Sequence, residues 1–435
     1  MTTLVCMVVA NMIGAGIFTI SGYSLADLHH QNWVLLAWIV GGVIAICGAV
    51  GYGAAARMVT ESGGEFIFLT KMLHPSIGFM AGWVSLLAGF TGAIALAATT
   101  FEVYALPNGV NGHGLVAIGA ILLFAFFHST IAHFGIRNHN WIIAFKLLLI
   151  VLFLLISAVL LGQYWNGFGV RGVVETPSLL EFASALVWIS LGYSGFNSAV
   201  YVASEVRDAK RTVPRSMLLG TIIVTVLYLL LNLVFLYGPH PDLIRGEEQV
   251  GAIAAFAIGG PKLEWMLRFI VVTAMLSSVS SMILAGPRVY ERMAEHGLFP
   301  QIAQKRNRDN TTPHVAVWIQ AVLACIVVAI TTLRSLLDYL SLTLSISAAL
   351  TVLAMLIFAA RKKTDDALGL LASVCGAIYV VATLGLAAIA TYHSPQKLYG
   401  VLATVVTGGI VYMILSWIRK SPPPESEPSP NEFQP

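Results

Sequence analysis

Residues 11–20 read NMIGAGIFTI and lie inside an apolar run, about residues 3–28, long enough to cross a bilayer. Glycine costs about 0.5–1 kcal/mol relative to alanine in a helix interior. Gly14 and Gly16 therefore weaken a membrane helix at the depth where unpaired backbone groups are most costly. A second apolar run carries the same kind of interruption: SLGYSGFNSAVY, residues 190–201, contains Gly192 and Gly195. The second break falls five spans after the first, and an odd number of spans per repeat turns the second copy upside down. Glycine interruptions at matching places in two halves point to a transporter site. Unwound backbone offers N–H groups to an anion and carbonyls to a cation, a combination that suits a zwitterion. Non-helical backbone survives at this depth only where it is buried or lines a cavity. The plainer alternative is that the glycines let helices pack closely.

Moving outward, 57% of the 435 residues are hydrophobic and 10% are charged, against about 25% charged in ordinary globular proteins. So little charge cannot cover a soluble surface, and the chain reads as an all-α polytopic membrane protein. Apolar segments occur near 3–28, 33–58, 77–105, 114–133, 138–161, 181–203, 214–238, 264–286, 314–333, 336–360, 367–391 and 398–418, which predicts about twelve transmembrane helices. The first run is too long for a cleavable signal peptide and continues into the body of the chain. The proline-rich stretch 421–435 reads as a disordered cytoplasmic tail behind a membrane domain over 1–420.

Basic residues orient the bundle. Arg57 and Lys71 follow the second segment, Arg137 the fourth, and Arg207, Lys210, Arg211 and Arg215 the sixth. Arg288, Arg292, Lys305, Arg306 and Arg308 follow the eighth, Arg361, Lys362 and Lys363 the tenth, and Arg419 and Lys420 the twelfth. The opposite side carries only Arg171, Arg245, Lys262, Arg268, Arg334 and Lys397. Both termini are therefore expected in the cytoplasm, with the protein in the plasma membrane. Membrane-hugging basic residues explain the charge without a nucleic acid partner. No phosphate loop, nucleophile triad or metal spacing appears. Cys6, Cys47, Cys325 and Cys375 all fall in apolar runs and read as packing residues. His128 and His133 are five positions apart, about 140° around a helix, and do not share a face.

Four blocks together carry a family resemblance: NMIGAGIF at 11–18, SGGEFIFL at 62–69, GYSGFNSAVYVASEVRDAKRTVPRS at 192–216 and GPRVYERMAEHGLFP at 286–300. In order and spacing the chain resembles the amino acid–polyamine–organocation permeases over roughly residues 5–420. The resemblance implies a five-plus-five inverted repeat of the leucine-transporter (LeuT-like) kind, with repeats at about 3–161 and 181–360, discontinuous helices 1 and 6, and extra helices at about 367–418. It implies alternating-access transport of amino acids and no cofactor. By the same resemblance, Gly14, Ala15 and Gly16 would hold the substrate carboxylate through their N–H groups. The carbonyls of Met12, Leu191 and Ser194, beside Gly195, would receive the ammonium. Leu191 stands where the family often has an aromatic gate residue, with Trp188 one turn earlier, so either Leu191 or Trp188 is the outer gate.

Asn197, just past the second break, either contacts substrate or makes an interhelical hydrogen bond. Lys146, inside IIAFKLLLIV, either snorkels to the interface or performs a coupling role, with Ser277 and Ser278 as candidate partners. A buried lysine there can replace a coupling sodium ion, giving sodium-independent transport. It either cycles a proton or stays charged as a fixed brace for exchange. With no acid among the expected pocket walls, neutral amino acids are favoured over cationic ones or polyamines. An amino acid sensor is the rival outside transport, and a membrane enzyme lacks clustered acid, base or metal residues.

Overall fold

The computed structural model describes residues 1–61, 63–106, 110, 112–130, 139–164, 176–295, 297–307, 312–362 and 369–420. Side chains are placed for all of these except 139–143, 163–164, 362 and 418–420. Arg137, His133, Arg171, Arg308, Lys363 and the tail at 421–435 lie outside the described residues.

Every regular element among the described residues is helical. The first apolar run divides into α1 (Thr2–Met12) and α2 (Gly16–Leu28), which meet at 40°. Then follow α3 (Gln31–Met58), α4 (Gly64–Met72) and α5 (Pro75–Val84). A π-helical stretch at Ser85–Gly92 joins α5 to α6 (Ala93–Ala105). Next come α7 (Leu115–Thr130), α8 (His139–Tyr164) and α9 (Leu179–Gly192), the last continued by a 3-10 helix at Phe196–Glu205. The second half holds α10 (Ala209–Tyr237), the short α11 (Pro241–Ile244) and α12 (Val250–Glu295). It closes with α13 (His314–Ile330), α14 (Leu333–Lys362), α15 (Leu370–His393) and α16 (Leu398–Lys420). Among the described residues nine spans are long and apolar enough to cross a membrane, ten if the bent α1–α2 pair counts as one; α7 and α13 are shorter apolar helices. The chain is a polytopic membrane protein.

Three elements differ from the sequence reading. The SGGEFIFL block is largely helical: Gly63 and Gly64 turn the chain at positive φ and α4 starts there, because EFIFLTKM can bury one apolar side. The eighth span begins well before residue 264, at Val250, and is interrupted at Gly260 (φ 65°, ψ −160°) next to Pro261. Arg268, grouped above with the sparse loop charges of the far side, lies within α12 and is 7% exposed. Its charge is met by Glu264 at 2.8 Å, the Tyr104 carbonyl at 3.1 Å and Gln249 at 2.7 Å, as burial of a guanidinium requires.

Polar side chains fix the helix ends. The Glu102 carboxylate, 6% exposed, accepts the N–H groups of Gly114, Val116 and Ala117 at 2.9–3.0 Å. Those are donors that a helix start leaves without partners, so α6 caps α7. Ser178 and Glu181 form a reciprocal capping box that starts α9.

Candidate functional site: two broken helices in contact

The first break is a single tight turn. Ile13 has φ −74° and ψ 85°, and the Gly14 N–H donates to the Met12 carbonyl at 2.9 Å, the pattern of an inverse γ-turn. Helix resumes at Gly16. The first N–H groups of α2 have no carbonyl one turn earlier in their own helix, the kind of end that can hold an anion. In the second break Tyr193 leaves α9, the Ser194 N–H donates to the Leu191 carbonyl at 3.0 Å, and Gly195 adopts φ +99°. That backbone region favours glycine.

The two breaks touch backbone to backbone. A Cβ on Gly16 would lie 2.8 Å from the Gly192 Cα, and one on Gly195 would lie 2.9 Å from the Asn11 carbonyl oxygen. Met12, Gly14, Ala15 and Gly16 are thus brought together with Leu191, Gly192, Ser194 and Gly195. Of the carbonyls named for the ammonium, Met12 also accepts the Tyr228 hydroxyl of α10. Tyr228 closes a ring of three aromatic side chains with Trp38 and Tyr193, centroids 5.3–5.5 Å apart. The Tyr193 hydroxyl donates to the Trp38 carbonyl at 2.9 Å. The break at 13–15 is therefore backed by a packed aromatic wall.

Lys146 of α8 is 4% exposed. Its Nζ donates to the Ile13 carbonyl at 2.6 Å and lies 3.5 Å from the Ala10 carbonyl. The ammonium thus turns inward onto the turn of the first break. Ser277 and Ser278 are not joined to it: both hydroxyls donate to the Ala274 carbonyl of their own helix, at 2.7 and 3.0 Å.

At one end of the bundle, Trp188 is 2% exposed, and its Nε1 donates to Asp338 of α14 at 2.7 Å. Lys397 pairs with Asp338 at 3.0 Å. It also stands 4.7 Å from the centre of the Trp188 ring. Arg334 lies 5.5 Å from both the Tyr23 and Trp188 rings. Leu191, deeper along α9, is half-buried.

Toward the other end, Asn197 donates to the Glu65 carboxylate, which also accepts the Tyr201 hydroxyl at 2.6 Å and the Tyr52 hydroxyl at 3.2 Å. The Asn197 amide thus makes an interhelical bond. This carboxylate ties α3 and α4 to the 3-10 segment after the second break. Sequence reading quoted the Glu65 block but gave Glu65 no part, and it missed Tyr228 altogether. The local signal for Glu65 was an acid next to two glycines inside apolar surroundings. His128 meets Ser280 at 2.8 Å, and among the described residues no group of three His, Cys, Asp or Glu could hold a metal ion.

Comparison with known proteins agrees over the whole bundle. The family model described as amino acid permease matches residues 1–417. The chain is similar to b(0,+)-type amino acid transporter 1 of Mus musculus, 22% identical over 372 residues, 82% of this chain and 75% of that one. It is similar to solute carrier family 7 member 12 of Mus musculus, 27% identical over 316 residues, 71% of this chain and 68% of that one. Large neutral amino acids transporter small subunit 2 of Homo sapiens is 22% identical over 347 residues, 77% of this chain and 64% of its own length.

Proposed function

Because the chain belongs to the amino acid permease family, within the amino acid–polyamine–organocation superfamily, we propose that it is a secondary transporter of neutral amino acids working by alternating access. The observation that carries this reading is the contact between the two breaks, Gly16 on Gly192 and Gly195 on Asn11. In this proposal the carboxylate binds N–H groups at Gly14, Ala15 and Gly16. The Gly14 N–H leaves Met12 to do so, and the ammonium takes carbonyls of Met12, Leu191 and Ser194. Twelve crossings, made of the ten long spans and the two shorter apolar helices, form two inverted repeats at about 3–161 and 181–360. Two further helices at about 367–418 complete a plasma-membrane bundle with cytoplasmic termini, oriented by the basic loops.

Trp188 is the outer gate and the Glu65 cluster closes the inner side. Lys146 supplies at the Ile13 carbonyl the positive charge that a sodium ion would otherwise bring, so transport is sodium-independent. Proton coupling is favoured, because Lys146 can release its proton when α1 moves away. The bond from Lys146 to Ile13 also supports a second reading, in which the lysine stays charged and the protein exchanges one amino acid for another. The name of one relative, a large neutral amino acids transporter, agrees with neutral substrates.

Uptake of a panel of labelled amino acids into proteoliposomes tests the proposal. Neutral amino acids should enter without sodium, faster under an inward proton gradient. Strict sodium dependence, or arginine uptake matching that of leucine, would overturn it; stimulation only by internal amino acid would select exchange.

A further inference from the structure

Helices α3 and α10 lie side by side and run in opposite directions. A Cβ on Gly42 would meet Thr225 at 2.6 Å, and one on Gly53 would meet Pro214 at 3.0 Å. Residue 42 is therefore level with 225 and 53 with 214, and the same register sets Arg57, at the end of α3, beside the first turns of α10. Arg211 and Arg215 stand there, and all three arginines are exposed. Among the described residues, none of their guanidinium groups is held by a hydrogen bond, an ion pair or a ring. The acids next in the chain, Glu205 and Asp208, are exposed and pair with none of them. Basic side chains in other loops are met by acids: Lys71 by Glu61, Arg292 by Glu295 and Arg306 by Glu291.

Each arginine also ends or continues an apolar stripe. Val43, Val50 and Arg57 are seven positions apart, close to two turns, and share one side of α3. On α10, Leu219, Ile222 and Val226 follow Arg215 at steps of four, three and four, which again is one side of a helix. Val43, Leu219, Ile222 and Val226 are exposed and Val50 is half-buried. No described helix covers this side of the pair, so in a membrane it meets lipid.

We propose that the groove between α3 and α10 binds one anionic phospholipid. Its phosphate sits on Arg57, Arg211 and Arg215, and an acyl chain lies along the two apolar stripes. The rule that orients membrane proteins accounts for the sign of these charges, but not for three unpaired arginines at the head of one lipid-facing groove. Guanidinium groups take phosphate oxygens in pairs, and basic clusters beside membrane spans select anionic lipids. A choline lipid carries its own cation and gains less there. Residues 43–57 of α3 cover about 20 Å at 1.5 Å per residue, more than the ~15 Å of one leaflet's hydrocarbon, so the stripe can follow a whole chain. The bound lipid joins α3 to α10 close to α1, whose Val8 packs on Gly220 of α10.

The test is native mass spectrometry of the full-length protein titrated in detergent with phosphatidylglycerol or with phosphatidylcholine of the same chains. The wild type should retain a single phosphatidylglycerol at a concentration about tenfold below that needed for phosphatidylcholine. The combined variant Arg57→Gln, Arg211→Gln, Arg215→Gln should lose this preference. A control with Arg288→Gln, Lys305→Gln and Arg361→Gln, which removes as much exposed charge elsewhere, should keep it. Phosphatidylglycerol nanodiscs should raise the melting temperature of the wild type and the control above that in phosphatidylcholine, and leave the groove variant unchanged. Equal retention of the two lipids by the wild type overturns the site, as does an unchanged preference in the groove variant. Loss of the preference in both variants would show attraction to basic surface in general, and displacement by glycerol 3-phosphate would show a site for free phosphate; either result overturns the lipid site.

Discussion

Lys146 delivers a charge to the one turn where α1 stops and α2 has not begun, so its removal is felt in the backbone rather than in a neighbouring side chain. Lys146→Ala leaves the Ile13 carbonyl without its donor, a loss of about 1–3 kcal/mol. Sodium-independent uptake should fall by about tenfold or more, and Lys146→Arg should restore part of it; normal uptake by the alanine variant would reduce the lysine to a packing residue. Gly195→Ala meets two obstacles, a φ of +99° and a Cβ 2.9 Å from the Asn11 oxygen. Strain of about 1–3 kcal/mol should lower the melting temperature of the purified protein and abolish uptake. Tyr228→Phe removes a donor from Met12 at a cost of about 0.5–1.5 kcal/mol. It should weaken amino acid binding several-fold with little change in melting temperature, and unchanged affinity would remove Tyr228 from the site. The glycines were legible because glycine inside a long apolar run has a local cost that demands a reason. Tyr228 was not, since it stands in the featureless run VLYLLLN and its partner is 216 positions away. Lys146 was legible as an anomaly, yet the serines assigned to it were chosen by type, and their hydroxyls turn to their own backbone instead.

Among elements, the apolar spans could be counted because each needs about 20 residues to cross the hydrocarbon. How those spans are subdivided could not be read, because the causes lie in other helices. Nothing in SLLAGFTG announces a π-helical stretch at Ser85–Gly92, and EFIFLTKM could be loop or helix until α4 finds a surface to cover. The α6–α7 joint shows the same dependence. Glu102 holds three N–H groups at the start of α7, and charge-assisted bonds of this kind exceed neutral ones. Glu102→Gln should destabilise the protein by about 1–3 kcal/mol, read as a lower melting temperature. Equal melting curves would mean that packing alone holds α7.

For the whole molecule, the two polar clusters lie toward opposite ends of α9 and its 3-10 continuation, Trp188 with Asp338 and Lys397 at one, Glu65 with Asn197 and Tyr201 at the other. Both are formed at once, so both ends of this path are tied in the structure. In the alternating access proposed above, each cluster would hold the chain against one of the two openings. Removing a hydrogen bond to a charged group costs about 1.5–3 kcal/mol, and 1.4 kcal/mol is a tenfold change in an equilibrium. Asp338→Asn should therefore raise the rate at which a cysteine at Ser194 reacts with an impermeant maleimide from outside by about tenfold, whereas Tyr201→Phe should lower it. Changes of the same sign in both variants would show that the clusters do not oppose one another.

Where Gly16 rests on Gly192, no side chain stands between the two helices. Two levers share a pin there, with the side chains of Ile20 and Trp38 beside it. The arm formed by α2 is 13 residues long, about 20 Å at 1.5 Å per residue. A swing of about 10° at the pin carries its far end, near Asp27, through about 3 Å, roughly the length of a hydrogen bond. A small tilt at a bare contact in the centre of the protein is thus enough to remake the polar contacts at its rim.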